Sequence, residues 1–178
     1  MKIYKTKLKG LKIIKGKKHY DNRGYFREVL KKKNLKNNKF IFWCVSSSKK
    51  NVIRGLHFQI KKQQDIYVSV IKGKIFDVVL DLRKNSKTYG KYHAVTLSNK
   101  NSTSLLIPAG CAHGFCSLER ENLILYGISN YRSPKNEVGI LWNDKSLKIK
   151  WPVKYPIISN KDKNNITFEK FNNSYFYN

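Results

Sequence analysis

The chain has 178 residues and a mass of 20.9 kDa, with 40% hydrophobic and 13% aromatic residues. That is one domain's length, enough to bury a core without disulfide or metal staples and too apolar for a disordered segment. Its 37 Lys and Arg against 11 Asp and Glu give +26, scattered rather than massed in a block, which favours compositional bias over a nucleic-acid footprint. The predicted elements are mostly short strands. The first falls near 10–15. A short helix is predicted over 25–36, where Phe26, Val29 and Leu30 sit at helical spacing. Strands follow near 39–46 and 53–59. Residues 66–72 alternate, Gly73 punctuates, and 74–83 resumes the alternation, which predicts a hairpin turning at the glycine. Phe76, Val78, Leu80 and Leu82 share one face of its second strand; Asp77, Asp81 and Arg83 share the other. Further strands are predicted near 91–98, 103–107, 122–129 and 139–142. The aromatic-rich tail, 151–178, opens with Trp151-Pro152 and is expected to pack on the barrel, with Phe176 and Tyr177 packed or covered in a dimer. Many short antiparallel strands with turn residues between them predict a sandwich or barrel, with any small-molecule site in its mouth. Residues 1–178 read as a single domain.

No run approaches the roughly 20 apolar residues of a membrane span. Met1-Lys2-Ile3-Tyr4-Lys5 has no apolar run behind it, so no secretory signal is read. Cys44, Cys111 and Cys116 are odd in number and unpaired in spacing, which implies a reducing cytoplasmic setting. Cys111 and Cys116 flank His113 but match no zinc pattern and read as small buried thiols. The chain also lacks the aromatic strand, the G-x-x-G loop and the finger spacing of nucleic-acid modules. A field of +26 would still attract any anion, a phosphorylated small molecule included.

There are four histidines. His19 and His93 read as surface residues. His57, in R-G-L-H-F-Q (54–59), and His113, in I-P-A-G-C-A-H-G-F (107–115), stand in glycine-flanked motifs at strand ends and are candidates for chemistry. Metal-binding barrels offer a His-x-His pair, a nearby Glu and a distant His; Phe58 and Gln59 follow His57, so no metal is expected.

Several motifs run in one order along nearly the whole chain: D-N-R-G-Y-F-R-E (21–28), R-G-L-H-F-Q (54–59), G-K-I-F-D-V-V-L-D-L-R-K-N-S-K-T-Y-G (73–90), L-L-I-P-A-G-C-A-H-G-F (105–115), Y-R-S-P-K-N-E-V-G-I-L-W-N-D (131–144) and I-K-W-P (149–152). Together they resemble the dTDP-4-dehydrorhamnose 3,5-epimerase family. The resemblance implies an all-β cupin jelly-roll barrel with short flanking helices, a homodimer, no cofactor and no metal. It implies epimerisation of a nucleotide-linked 4-keto-6-deoxy sugar at C3, C5 or both. Protons on those carbons lie alpha to the carbonyl, so their removal needs a base and a donor for the enolate oxygen. Inversion needs a second group on the other face. By the resemblance His57 is the base, Asp162 in S-N-K-D-K (159–163) its carboxylate partner, and Tyr126 in L-I-L-Y (123–126) the acid. Arg54 matches an enolate or phosphate contact and His113 lies against the same cavity. Arg23, Glu28, Glu137 and Lys161 match other substrate-binding positions. The chain departs from the family at three places: Ile66 stands where the family has a lysine that holds the C4 oxygen, and Phe42 and Cys44 replace a Gln-x-Asn pair. The departures leave open a single-carbon epimerase or keto-isomerase acting on another nucleotide sugar, or a cupin that binds such a sugar without turnover.

Overall fold

The computed structural model describes residues 1–35 and 39–176. Thirteen strands appear among them: β1 (Lys2–Lys5), β2 (Lys12–Lys15), β3 (Lys18–Asp21), β4 (Gly24–Arg27), β5 (Phe42–Lys49), β6 (Ile53–Gln59), β7 (Ile66–Lys72), β8 (Lys74–Asp81), β9 (Tyr92–Ser98), β10 (Thr103–Ile107), β11 (Cys111–Ser117), β12 (Glu121–Ile128) and β13 (Glu137–Gly139). Two short helices follow, α1 (Asn160–Lys163) and α2 (Phe168–Phe176). Strands β1-β2-β10-β7-β12-β5 form one antiparallel sheet and β13-β6-β11-β8-β9 the other, the two walls of a jelly roll; β3 and β4 make a separate hairpin.

Three apolar layers hold this arrangement. Between the sheets, Val68, Val70, Leu105 and Ile124 from one side meet Ile75, Val79, Leu97 and Phe115 from the other. Outside the five-stranded sheet, Val78, Leu80 and Leu82 are covered by the tail through Leu147, Trp151 and Phe171. Outside the six-stranded sheet, Ile14, Tyr67 and Leu106 are covered by Val29, Leu30 and Phe40. The tail does pack on the barrel, Phe171 meeting Phe58 edge to face at 5.3 Å. The side chain of Phe176 and all of Tyr177 lie outside the described residues.

Three expectations are corrected. The segment 66–83 is not a hairpin: β7 pairs with β10 and β12, β8 with β9 and β11. Gly73 is the corner at which the chain leaves one sheet for the other. Its φ is +83°, and a Cβ there would lie 2.3 Å from the Glu121 carbonyl oxygen, so only glycine fits. The described part of the helix expected over 25–36, residues 25–35, is not helical: 24–27 is strand β4, and one 3-10 turn follows at Lys32–Asn34; residue 36 lies outside the described residues. Val29 and Leu30 pack from extended chain, and Tyr67 donates its hydroxyl to the Val29 carbonyl at 2.5 Å. The face of β8 bearing Asp77 and Asp81 is the barrel interior, both aspartates fully buried there. His93 is only half-exposed, with its Nε2 shielded and unpartnered among the described residues. His19 is exposed, and Cys111 and Cys116 are buried free thiols, as the sequence indicated.

Candidate active site

A cavity of about 450 Å³ opens between the two sheets. The six-stranded sheet contributes Cys44, Ser46, Ile66, Tyr126 and Ile128; the five-stranded sheet contributes Arg54, His57, Gln59, His113 and Glu137; the tail contributes Ser159, Lys161 and Asp162.

Residue His57 reaches it from β6, which is pressed against β11. A Cβ on Gly55 would lie 2.6 Å from the Gly114 Cα, and its φ is +114°; glycine at the second position of R-G-L-H lets the strands approach. Asp162 arrives on α1, whose N-cap Ser159 accepts from the Asp162 amide at 3.1 Å. That turn aims the carboxylate at the barrel. Asp162 Oδ1 lies 2.5 Å from His57 Nε2, and Oδ2 accepts from the Gly55 amide at 3.3 Å. Burial raises the Asp162 carboxyl, but His57, the Gly55 amide and the Ser159 hydroxyl outweigh it, so the group is held below its usual range. An ionised carboxylate only accepts, so in the neutral ring His57 Nε2 carries the hydrogen and Nδ1 the lone pair. Asp162 is 3% exposed, while the His57 side chain is 33% exposed.

Tyrosine 126 enters from the opposite sheet. Its hydroxyl lies 3.2 Å from Ser46 Oγ, and its ring meets His113 at 6.3 Å. Burial pushes its phenol well above the ordinary range. His113 in turn places Nε2 2.8 Å from Asp77 Oδ2. Arg54 donates to Ser48 Oγ and to the Ser47 carbonyl, both at 3.0 Å. Those partners are neutral, and no carboxylate among the described residues pairs with Arg54. Glu137 accepts from Arg132 Nε at 2.7 Å and pairs with Lys161. Burial raises the Glu137 carboxyl, but these two cations bring it down to about 2.

Seven of the nine predicted positions therefore meet at one cavity: His57, Asp162, Tyr126, Arg54, His113, Glu137 and Lys161. Arg23 and Glu28 do not. Arg23 sits at the turn of the β3–β4 hairpin, paired with Asp21 at 2.7 Å, and Glu28 pairs with Lys31 at 2.8 Å. Of the three departures, Ile66 and Cys44 line the cavity; Phe42 packs at a tilt against Tyr131, ring centroids 6.1 Å apart, and is not among its walls. Ser46, Gln64 and Arg132 were missed. Ser46 follows Cys44 by two residues on one strand, so alternation alone carried the signal. No cluster of three or more metal-ligating side chains occurs among the described residues.

Residues 5–170 match the family described as dTDP-4-dehydrorhamnose 3,5-epimerase. The chain belongs to that family. It is 40% identical over 174 residues to the dTDP-4-dehydrorhamnose 3,5-epimerase of Shigella flexneri, covering 94% of this chain and 96% of that one. The crystal structure of the Bacillus anthracis enzyme of that name, with TDP and pyrophosphate bound, superposes with a TM-score of 0.89 at 38% identity, over 93% of this chain and 98% of that one. The Legionella pneumophila dTDP-6-deoxy-D-glucose-3,5-epimerase, in complex with dTDP-4-keto-L-rhamnose, superposes with a TM-score of 0.89 at 35% identity, over 93% and 92%. Family members have the cupin-like jelly roll found here, and membership makes the chain an enzyme that isomerises sugar nucleotides.

Proposed function

We propose that the chain inverts C3, C5 or both of a dTDP-linked 4-keto-6-deoxy sugar, with His57 as base and Tyr126 as acid. One observation carries this reading: the two groups enter a single cavity from different sheets, so a ring lying between them has one on each face. His57 Nδ1 takes the proton alpha to the carbonyl. Asp162 holds the imidazole by Nε2 and stabilises the imidazolium that forms. The electron pair moves onto the C4 oxygen as an enolate. Arg54, paired with no carboxylate among the described residues, is a cation available to that oxygen or to a phosphate. Tyr126 returns a proton from the opposite face, inverting the carbon. His113, Glu137 and Lys161 contact the substrate along the same walls.

A homodimer fits the exposed hairpin, where Tyr20 and Phe26 are 71% and 67% exposed, surface that a second copy would cover. Arg23 and Glu28 touch substrate only if that hairpin reaches the cavity of a second copy. Residues 1–178 act as one catalytic unit in the cytoplasm. No helix among the described residues is long and apolar enough to cross a membrane.

A second reading, inversion at a single carbon or keto-isomerisation of another nucleotide sugar, is favoured by the apolar patch of Cys44, Ile66 and Ile128 in the cavity wall. Incubation with several nucleotide-4-keto-6-deoxy sugars in D2O, with deuterium located by NMR, separates the two. Label at both C3 and C5 of the dTDP sugar supports the first, label at one carbon or only on another sugar the second, and no label on any sugar contradicts both.

A further inference from the structure

Three consecutive serines, 46–48, run along β5 at the cavity wall. Alternation points Cys44, Ser46 and Ser48 inward, while Trp43, Val45 and Ser47 are exposed. Across the β5–β12 pair, Tyr126 faces Cys44 and Ile124 faces Ser46. Ser46 is therefore a diagonal neighbour of Tyr126 on the same sheet face, within reach of a long side chain. Its Oγ is 3.2 Å from the Tyr126 hydroxyl. The next inward hydroxyl, Ser48, holds Arg54 instead. We propose that Ser46 is a positioning residue for the proton return, donating its hydroxyl hydrogen to the Tyr126 oxygen as that oxygen gives its own proton to the sugar carbon.

The inference rests on the reading of Tyr126 as the acid. In that step the Oη–H bond breaks, a C–H bond forms at the enolate carbon, and the electron pair left behind sits on the Tyr126 oxygen. No bond of Ser46 is made or broken. A phenolate in a wall this buried is costly without a donor. A hydroxyl donating to an anionic oxygen makes a charge-assisted bond, stronger than the same bond to the neutral phenol. The serine therefore does more for the charged form than for the resting one. Burial pushes the Tyr126 phenol up, and the Ser46 bond is the first influence opposing it.

The test uses the whole protein and dTDP-4-keto-6-deoxyglucose in D2O, comparing deuterium wash-in with inversion of configuration. Ser46→Ala should lower inversion on the order of tenfold, the worth of one hydrogen bond to a charged group. Wash-in through His57 should stay within about twofold, with KM unchanged. Ser46→Thr, which keeps a hydroxyl, should restore inversion. In a Tyr126→Phe background, Ser46→Ala should add nothing, because the two residues act through one oxygen. Equal loss of wash-in and inversion in Ser46→Ala, or an effect that adds in full to that of Tyr126→Phe, overturns the proposal. Failure of the acid assignment shows separately, as equal loss of wash-in and inversion in the single variant Tyr126→Phe.

Discussion

His57 and His113 face each other directly across the β6–β11 pair, and each sets its Nε2 on a buried aspartate, Asp162 at 2.5 Å and Asp77 at 2.8 Å. The two pairs differ in access. The His57 side chain is 33% exposed and that of His113 9%. Asp162 also takes the Gly55 amide, whereas Asp77 keeps one oxygen unpartnered among the described residues. The first pair is open to the cavity; the second is enclosed in the barrel wall. His113→Phe strips a fully buried carboxyl of its Nε2 bond, at a cost of about 1–3 kcal/mol. Thermal unfolding should shift down by several degrees in a chain of this size. An unchanged midpoint would show that His113 does not support Asp77.

Replacing Tyr126 by Phe removes one hydroxyl and leaves the ring. His57 can still take a proton and put it back, so wash-in should continue while inversion falls by a factor of 100 or more. The check is product stereochemistry beside deuterium content in one reaction.

Position 66 tests what the apolar patch is for. Ile66 lies opposite Ile128 and lines the cavity. The cavity carboxylates are already engaged, Glu137 by Arg132 and Lys161 and Asp162 by His57. A lysine at 66 would be desolvated without a partner. Turnover of the native substrate by Ile66→Lys should fall at least about tenfold, the cost of roughly 1.4 kcal/mol. Faster enolisation would instead mean that the substrate's C4 oxygen rests at this wall.

Acid stability should carry the mark of Asp81. Burial raises this carboxyl, but bonds from Arg83, Ser86 and Thr88 outweigh it and bring it to about 2, from an ordinary 3.8. A carboxyl lowered in the folded state stabilises above its unfolded value and loses that contribution as pH falls through the folded one. The contribution is on the order of 2 kcal/mol and disappears between about pH 4 and pH 2. Asp81→Asn should flatten the pH dependence of urea midpoints across that window; an unaltered slope would contradict the assignment.

That network also shows how the sequence conveys this protein. D-L-R-K-N-S-K-T reads as one of the motifs that mark the family, and in the fold it clips a loop through Asp81 rather than touching the cavity. Alternation revealed β8 and its two faces, yet a glycine between two alternating runs looks alike whether the chain folds back or crosses to another sheet. Only the partner strands, remote in sequence, decide between them. Strand β11, which carries His113, was not legible as a strand at all: it is buried on both faces, so C-A-H-G-F-C-S has no polar alternation to read. Phe26, Val29 and Leu30 mimic a helical face because three apolar residues within five positions also fit a strand end followed by extended chain. The meeting of Asp162 with His57, 105 residues apart, was readable only through the family resemblance. Arg132 stood inside a recognised motif, but its place beside Glu137 depends on the turn at Ser133–Asn136, which no periodicity describes.

The most direct test of the account is solvent-proton exchange by His57→Asn. The variant keeps a side chain that can hydrogen-bond Asp162 but has no basic nitrogen. With dTDP-4-keto-6-deoxyglucose in D2O, wash-in at C3 and C5 should fall by two to four orders of magnitude, with the circular dichroism spectrum unchanged. Wash-in at the native rate in that variant would contradict the account.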